Sequence, residues 1–294
     1  MKPPTTLAFL ASLMMVLAAC NPGDSPSPLQ FTGYQNNPIL APGEPGTWDE
    51  EMVLLPCVVA QKDSFYLFYS GMNKPGRMAI GLAVSPDGYH FTKYIGNPVF
   101  TPADHGFDSY LVGKSIVLKG SSGWIMYYSS AETAVYGPGP FIGRATATEL
   151  TGPWTRTETP VLVHGSPGEW DSEFVIPCSI VALEDGTYNM YYTGGPEFIV
   201  HNKEYTGMAT SNDGITWKKY NDPVTTEHPF AESDPVLKTG GFNDWDGMTA
   251  WGGPVFKVSD GFEMYYSGST LAGKSGANYQ VCGFGYAISW DGIH

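Results

Sequence analysis

The sequence predicts an all-β protein made of four repeated units, and three observations support this fold class. An aromatic-Asp pair (Trp-Asp or Phe-Asp) recurs at positions 48, 107, 170 and 245, at intervals of 59, 63 and 75 residues. An aromatic run such as FYLFYSG or FEMYYSG follows each pair, and an SxDG turn or a variant of it comes later in each unit. Apolar and polar residues alternate with period two, so each unit is expected to contain four short antiparallel strands.

Each unit contains the same elements in the same order. A proline turn (NPIL, NPVF, TPVL or DPVL) precedes the aromatic-Asp pair, and an apolar β-branched run follows it. The aromatic run, a run of small and apolar residues, the SxDG turn and a short strand such as FTKY come next. Four strands that recur at this period predict a β-propeller blade, because radial stacking leaves few exposed strand edges. A two-layer sandwich is the alternative, but it does not explain the fourfold repetition.

One motif is divided between the two ends of the sequence. The sequence ends in SWDGIH, and FTGYQNNP, from Phe31 to Pro38, has the spacing of the FTKYIGNP that follows SPDGYH in the first unit. Two alternatives follow. Either the N-terminal strand from Phe31 to Tyr34 completes the last blade, or a fifth unit is missing.

The first thirty residues resemble a bacterial export signal. The apolar stretch from Leu7 to Leu17 is too short to span a bilayer comfortably, and it leads into LAAC, which resembles a lipoprotein signal ending at Cys20. An ordinary secretory signal or a buried helix is the alternative. Asn21 to Pro28 is rich in Pro and Ser, which predicts a flexible tether. We therefore expect three regions: a signal peptide at 1–20, a tether at 21–30 and a propeller at 31–294.

The lipoprotein interpretation predicts export and a lipid anchor at Cys20 in the bacterial cell envelope, at an outer membrane if the source has one. A periplasmic or extracellular location is the alternative. The formal charge of −14 and the lack of a basic run exclude nucleic acid as a partner. We expect no metal, no cofactor and a monomer. The odd number of remaining cysteines predicts at least one free thiol or an intermolecular bond, and we interpret all three as structural: Cys57, Cys178 and Cys282.

Several motifs resemble the five-bladed propeller glycosidases, which include arabinanases, xylosidases, invertases and levansucrases, and also the mannoside phosphorylases. The resemblance rests on ATATELTGPW (Ala145 to Trp154), the SxDG turns, the NPV turns and the MYYSG strands, and it extends from Phe31 to His294. It implies a propeller that binds carbohydrate and cleaves glycosidic bonds. The family typically has an Asp before the inner-strand proline, whereas this sequence has Leu55, Ile176 and Gly253 at that position. The resemblance therefore does not transfer a catalytic set.

The repeats also separate structural residues from candidate site residues. The Asp of the aromatic-Asp pair occurs in all four units, so we expect it to have a shared structural duty as a turn or cap residue. Long and dissimilar loops precede each pair and follow each aromatic run, and we expect them to share one rim of the propeller. Function commonly resides on such variable loops, so this rim is the predicted site.

Residues that break the repeat on this rim are the best candidates for chemistry. The second position after the Asp is Glu51, Tyr110, Glu173 or Met248 in the four units. Glycoside cleavage needs two carboxylates, so we predict Glu51 and Glu173 as catalytic residues with Asp108 as a third acid. The predicted substrate-binding residues are Lys114, Trp251, Arg77, Glu132 and Tyr136.

Two functions from different classes remain open. The first is a surface-anchored glycoside hydrolase-like protein that acts on poly- or oligosaccharides by paired-carboxylate chemistry. The second is a glycan-binding lipoprotein that has kept the propeller without the activity. The convergence of two carboxylates at the mouth of the channel would discriminate between them.

Overall fold

The computed structural model describes residues 32–74, 76–134, 139–196, 203–241, 243–270 and 281–294. These ranges contain 17 β-strands in four antiparallel sheets and no α-helix, so the predicted all-β class is confirmed. Within them there is accordingly no helix with the length and hydropathy that crossing a membrane requires. One compact unit spans Pro38–His294, and the residues described before it, 32–37, contain a turn and no strand.

The first two sheets, which we call blades 1 and 2, follow the chain in order. Blade 1 contains β1 (Met52–Gln61), β2 (Ser64–Met72), β3 (Met78–Ser85) and β4 (Thr92–Lys93). Blade 2 contains β5 (Leu111–Lys119), β6 (Trp124–Ala131), β7 (Phe141–Ala147), β8 (Thr155–Arg156) and β9 (Leu162–Val163), which also pairs with β7.

The other two sheets, blades 3 and 4, differ in their number of strands. Blade 3 contains β10 (Phe174–Ala182), β11 (Tyr188–Gly195), β12 (Tyr205–Ser211), β13 (Lys218–Lys219) and β14 (Pro235–Leu237), which also pairs with β12. Blade 4 contains β15 (Thr249–Val258), β16 (Gly261–Thr270) and β17 (Val281–Ser289). The four predicted repeats are therefore four blades, and the described residues contain no fifth sheet.

The first strand of each blade is the inner strand, because β1, β5, β10 and β15 contact one another in succession. In blade 1, Gln61 pairs with Ser64 at the end where the short turns and the SxDG turns lie. At the other end, Met72 pairs with both Met52 and Met78, so the long loops and the starts of the inner strands share one rim. We call this the variable rim. The prediction that the long loops share one rim is confirmed.

A buried ion pair on the aspartate of the aromatic-Asp pair holds blade 3 together. The Asp171 carboxylate accepts hydrogen bonds from the Tyr192 hydroxyl at 3.2 Å and from Lys219 Nζ at 2.6 Å. The arrangement recurs in the first two blades, as Asp49 with Tyr69 and Lys93 and as Asp108 with Tyr128 and Arg156. The cation always comes from the second residue of the two-residue fourth strand. These contacts confirm a shared structural duty for the aspartate in blades 1 to 3.

Each inner strand has an irregular register at the same level of the propeller. The register shifts lie between Leu54 and Cys57, between Gly113 and Ser115, between Pro177 and Ser179, and between Gly252 and Val255. A β-bulge removes a residue from the ladder and redirects its side chain, and bulges often occur beside binding sites. In β1 the bulge residue Leu55 has a φ of 55°, a left-handed conformation that is costly for a leucine.

Blades 1 to 3 each pack one face on the next blade, whereas one face of blade 4 is exposed. Ile80 in blade 1 is fully buried, and the residue at the equivalent position of blade 4, Phe284, is 93% exposed. Further exposed large side chains follow at every second position, Tyr286 and Ile288 on β17 and Trp290 directly after it. The opposite face of blade 4 packs on blade 3 through residues such as Phe262 and Met264.

The N-terminal strand that was predicted to complete blade 4 does not appear in the described part of the chain. Thr32 to Tyr34 are in no strand, and Phe31 lies outside the described residues. Cys20, the signal peptide and the tether lie outside them as well.

Candidate functional site

A cavity of about 400 Å³ lies between the inner strands, and we call it the channel cavity. All four inner strands contribute bulge residues to its wall: Leu55, Pro56, Lys114, Cys178, Gly253 and Pro254. Trp251, Tyr265 and Phe284 add aromatic surface from blade 4. Two of the predicted binding residues, Lys114 and Trp251, are therefore brought together in one cavity. Aromatic faces beside a few polar groups are typical of ligand sites.

The four repeat-equivalent residues at the variable rim occupy the same backbone position. The N–H groups of Glu51, Tyr110, Glu173 and Met248 each donate to a carbonyl at the end of the second strand in their own blade, at 2.9–3.1 Å. Glu51 and Glu173 are exposed and stand directly before β1 and β10. The inner strands descend from this rim, so Lys114 lies about 10 Å below it at ~3.3 Å per residue.

The other predicted site residues lie in different surroundings. Asp108 is buried in the ion pair with Arg156, which gives it the same structural contacts as Asp49 and Asp171 and leaves it no free face toward the rim. Arg77 is exposed on the rim, with its guanidinium 5.5 Å from the centre of the Tyr110 ring. Glu132 is also exposed there, and its carbonyl accepts a hydrogen bond from Ser109 at 3.4 Å. Tyr136 lies outside the described residues.

Glu204 is a buried acid that the sequence analysis did not identify. It precedes β12, only 7% of it is exposed, and the indole N–H of Trp251 donates a hydrogen bond to its carboxyl group. Burial raises the pKa of Glu204 to about 7, although the hydrogen bond from Trp251 acts in the opposite direction. The side chain thus holds a proton near neutral pH directly behind a wall residue of the channel cavity.

Backbone contacts fix Glu204 at the junction of blades 3 and 4. Its N–H donates to the Met248 carbonyl at 3.0 Å, and its own carbonyl accepts from the Ala250 N–H at 3.0 Å. Glu173 is close by, since its N–H donates to the Gly195 carbonyl at 3.1 Å. A Cβ atom at Gly195 would lie 3.1 Å from Glu204 Cγ. Gly195 therefore has Glu173 on one side and Glu204 on the other.

The two described thiols are free; Cys178 is buried and Cys57 is half-buried. Cys57 Sγ accepts a hydrogen bond from the Val117 N–H at 3.4 Å, and Cys178 Sγ is 3.1 Å from the Thr193 hydroxyl. Burial raises the pKa of both thiols, so they are protonated at neutral pH. The prediction of at least one free thiol is confirmed, and the Cys282 side chain lies outside the described part of the structure.

The described ranges contain no group of three or more His, Cys, Asp or Glu side chains placed to hold a metal ion. The chemistry that the described residues offer at the site is therefore that of carboxyl groups, an ammonium group and aromatic faces.

Solved structures match this architecture over most of the chain. A glycosyl hydrolase from Bacteroides ovatus has a TM-score of 0.67 at 19% identity, over 90% of this chain and 78% of that one. The fold is that of the propeller glycosidases. A Bacteroides thetaiotaomicron protein described as a glycosidase has a TM-score of 0.67 at 21% identity, over 88% of this chain and 77% of that one. At these identities the likeness concerns the propeller glycosidase fold alone.

A structure from the GH130 family of mannoside phosphorylases gives a TM-score of 0.66 at 19% identity, over 88% of this chain and 76% of that one. That family contains glycoside hydrolases that target β-1,2 mannosidic linkages in Candida mannan. The resemblance to propeller glycosidases and mannoside phosphorylases is thus confirmed at the level of the fold.

Comparison by sequence adds relatives of somewhat higher identity, and no family model matches the chain. Two uncharacterised proteins of Mycobacterium tuberculosis, MT1551 of strain CDC 1551 and Rv1502 of strain H37Rv, are 27% and 26% identical over 192 residues. The match covers 62% of this chain and 59% of each relative, so the chain spans less than two thirds of their length.

Proposed function

We propose that this chain is a glycoside hydrolase-like protein that binds a poly- or oligosaccharide at the variable rim and in the channel cavity. The observation that carries the proposal is the Glu204 carboxyl group, which is buried behind Trp251 and has a pKa near 7. A carboxylic acid that keeps its proton near neutral pH is the group that glycosidic oxygen needs as a general acid. The propeller glycosidase fold supports the same reaction class.

In this proposal the two acids beside Gly195 have different roles. Buried Glu204 donates its proton to the glycosidic oxygen as the bond to the leaving group breaks. Exposed Glu173 is the carboxylate that removes a proton from the attacking water. Trp251 positions Glu204 through its indole N–H and presents its ring to the sugar. Glu51, at the equivalent position of blade 1, is the alternative partner for the second role.

The proposal is tested by turnover of a panel of aryl glycosides and of β-1,2-linked manno-oligosaccharides. Glu204→Gln should lower kcat at least 100-fold, because general acid catalysis contributes about 10²–10⁴-fold. Glu173→Gln and Glu51→Gln, compared side by side, identify the second carboxylate by the larger loss. The rate with Glu204 intact should fall as the pH rises through 7. Undiminished turnover of Glu204→Gln would contradict the assignment.

A glycan-binding protein without turnover is the second candidate, and the placement of Asp108 favours it. This acid is committed to its ion pair, and no carboxylate lines the channel cavity among the described residues. Binding of oligosaccharides that is lost in Trp251→Ala, with no turnover of any substrate, would establish this second function.

We also propose that the chain is exported and held at the cell envelope by lipid on Cys20, on the basis of the LAAC motif and the Pro-rich segment after it. Cys20→Ala should remain in the soluble fraction and lose label from fed fatty acid. Membrane association of that variant would contradict the anchor and leave the glycan function untouched.

A further inference from the structure

Lys114 is the one charged side chain among the described residues that line the channel cavity. The rest of that wall is apolar, aromatic or small, and it includes Trp251, Tyr265 and Phe284. Lys114 is half-buried there, and an ammonium group that loses part of its hydration is stabilised by an opposite charge beside it. The opposite charge can come from another side chain of the protein or from a ligand.

No carboxylate in the described ranges supplies the charge, because every ion pair found there uses a different cation. These cations are Lys74, Lys93, Arg156, Lys219, His90, His228 and His294. Lys114 is close enough to Cys57 and Cys178 to lower the pKa of each thiol, but burial raises both by more. The thiols remain neutral and are no counter-ions for Lys114.

The bulge in β5 places Lys114 at the cavity, and the charge is specific to blade 2. The register shift between Gly113 and Ser115 takes Lys114 out of the strand ladder. At the bulges of the other blades the cavity is lined by Leu55, Cys178 and Pro254, which carry no charge. A residue that differs among repeats in this way has no structural duty shared by the blades.

We propose that Lys114 is the counter-charge for an anionic group of the ligand, and that the channel cavity accepts a glycan bearing a carboxylate, namely a uronic acid residue. This inference rests on the proposed function, in which the cavity binds a sugar. Trp251 and Tyr265 provide faces against which a sugar ring packs. A single ammonium balances a single carboxylate, whereas a free phosphate carries more charge and needs several donors.

The test compares each acidic glycan with its own methyl ester, which removes the charge and keeps the sugar. Tri-galacturonate and an oligosaccharide containing glucuronic acid, each as free acid and as methyl ester, are titrated calorimetrically into the full chain at low ionic strength. Inorganic phosphate and neutral β-1,2-mannobiose are titrated in parallel. We expect one of the acids to bind at least tenfold more tightly than its ester, with the difference shrinking as salt is added.

Lys114→Met should abolish the preference for the acid by weakening acid binding at least tenfold more than ester binding. Lys114→Gln should do the same if its melting temperature shows a folded protein. Lys119→Met is the matched control, since Lys119 ends the same strand at the opposite rim and should retain the preference. Equal binding of acid and ester, equal weakening of both in Lys114→Met, or binding of phosphate without a uronate preference would overturn the inference.

The same titrations separate this inference from the proposed function. If neutral glycans bind and Trp251→Ala removes their binding, but no acid is preferred, the uronate inference fails and the glycan site stands. If neither acidic nor neutral glycans bind, both fail.

Discussion

Blade 3 and blade 4 have the same inner sheet but differ at their outer edge and on one face. In blade 3, Lys219 on the two-residue strand β13 reaches Asp171, and one face of the blade packs on blade 4. In blade 4 the corresponding aspartate, Asp246, accepts a hydrogen bond from Tyr266 at 3.1 Å and has no cation within 4 Å among the described residues. The same sequence motif therefore forms an ion pair in blade 3, where a fourth strand is present, and only a tyrosine hydrogen bond in the described part of blade 4.

Blade 4 forms its three strands although, among the described residues, its aspartate contacts only the tyrosine and no cation. The fourth strand supplies the cation. The neighbouring blade covers the face that is exposed in blade 4. Four pairs of substitutions compare a residue with its equivalent in another blade or with an exposed residue. They measure how much the ion pair, the covered face, the junction of blades 3 and 4 and the SxDG turn stabilise the fold.

The largest effect is expected for the buried ion pair. Asp171→Asn leaves Lys219 without its partner in a buried site and should lower the free energy of unfolding by about 3–5 kcal/mol. Asp246→Asn, which removes only the charge on one tyrosine hydrogen bond, should cost about 1–2 kcal/mol. Urea unfolding of both variants gives the comparison. Equal losses would show that blade 4 has a cation partner in solution.

Next come the two equivalent positions on the blade faces. Ile80→Ala removes buried methyl groups from the contact between blades 1 and 2 and should cost about 2–5 kcal/mol. Phe284→Ala should change the unfolding free energy by no more than about 0.5 kcal/mol, because its side chain is exposed. A loss above about 2 kcal/mol for Phe284→Ala would mean that another surface covers blade 4 in solution.

A third comparison concerns the junction where blade 4 meets blade 3. The pKa of Glu204 is about 7 in the folded chain and 4.5 for an unperturbed glutamate, so stability is fully present below pH 4.5. It falls as the pH rises through 7, by about 3 kcal/mol at most. Glu204→Gln should remove this loss between pH 5 and pH 8, as measured by urea unfolding. Exposed Glu173→Gln is the control and should leave the pH dependence as it is.

The smallest difference is expected at the SxDG turns. Ser85 is buried and its hydroxyl oxygen accepts the Gly88 N–H at 2.8 Å, so Ser85→Ala should cost about 1 kcal/mol. Ser289 makes the same bond to Gly292 at 2.8 Å on the more open blade 4, where water can replace it. Ser289→Ala should therefore cost about half as much. A larger loss of unfolding free energy for Ser289→Ala than for Ser85→Ala, measured by urea unfolding, would contradict this prediction.

The repeat made most of the fold predictable, because each blade carries its own aromatic strand, SxDG turn and aspartate. Residues 32–34 show where this reasoning stopped. FTGY has the spacing of FTKY, yet Gly33 replaces the lysine that in blade 1 ties the fourth strand to Asp49. The spacing of the motif did not reveal that the ion pair depends on this single residue.

The candidate site was predictable only in part. Lys114 and Trp251 were recognisable as residues that break the repeat, and both line the channel cavity. Glu204 breaks the repeat as well, since Met78, Pro140 and Cys282 occupy its position in the other blades. It was missed because its interest comes from burial and from the contact with Trp251, which link segments 47 residues apart. Sequence pattern does not report such long-range contacts.

The ion pair in blade 3 also has a consequence for local opening. Strand β13 pairs with β12 through two residues only, so on its own it would exchange its amide hydrogens readily. Lys219 ties it to Asp171, which stands two residues before Glu173 on the variable rim. The ion pair therefore links the outer edge of this blade to the rim, and we expect hydrogen exchange at Lys219 to respond to changes in the backbone that carries Glu173.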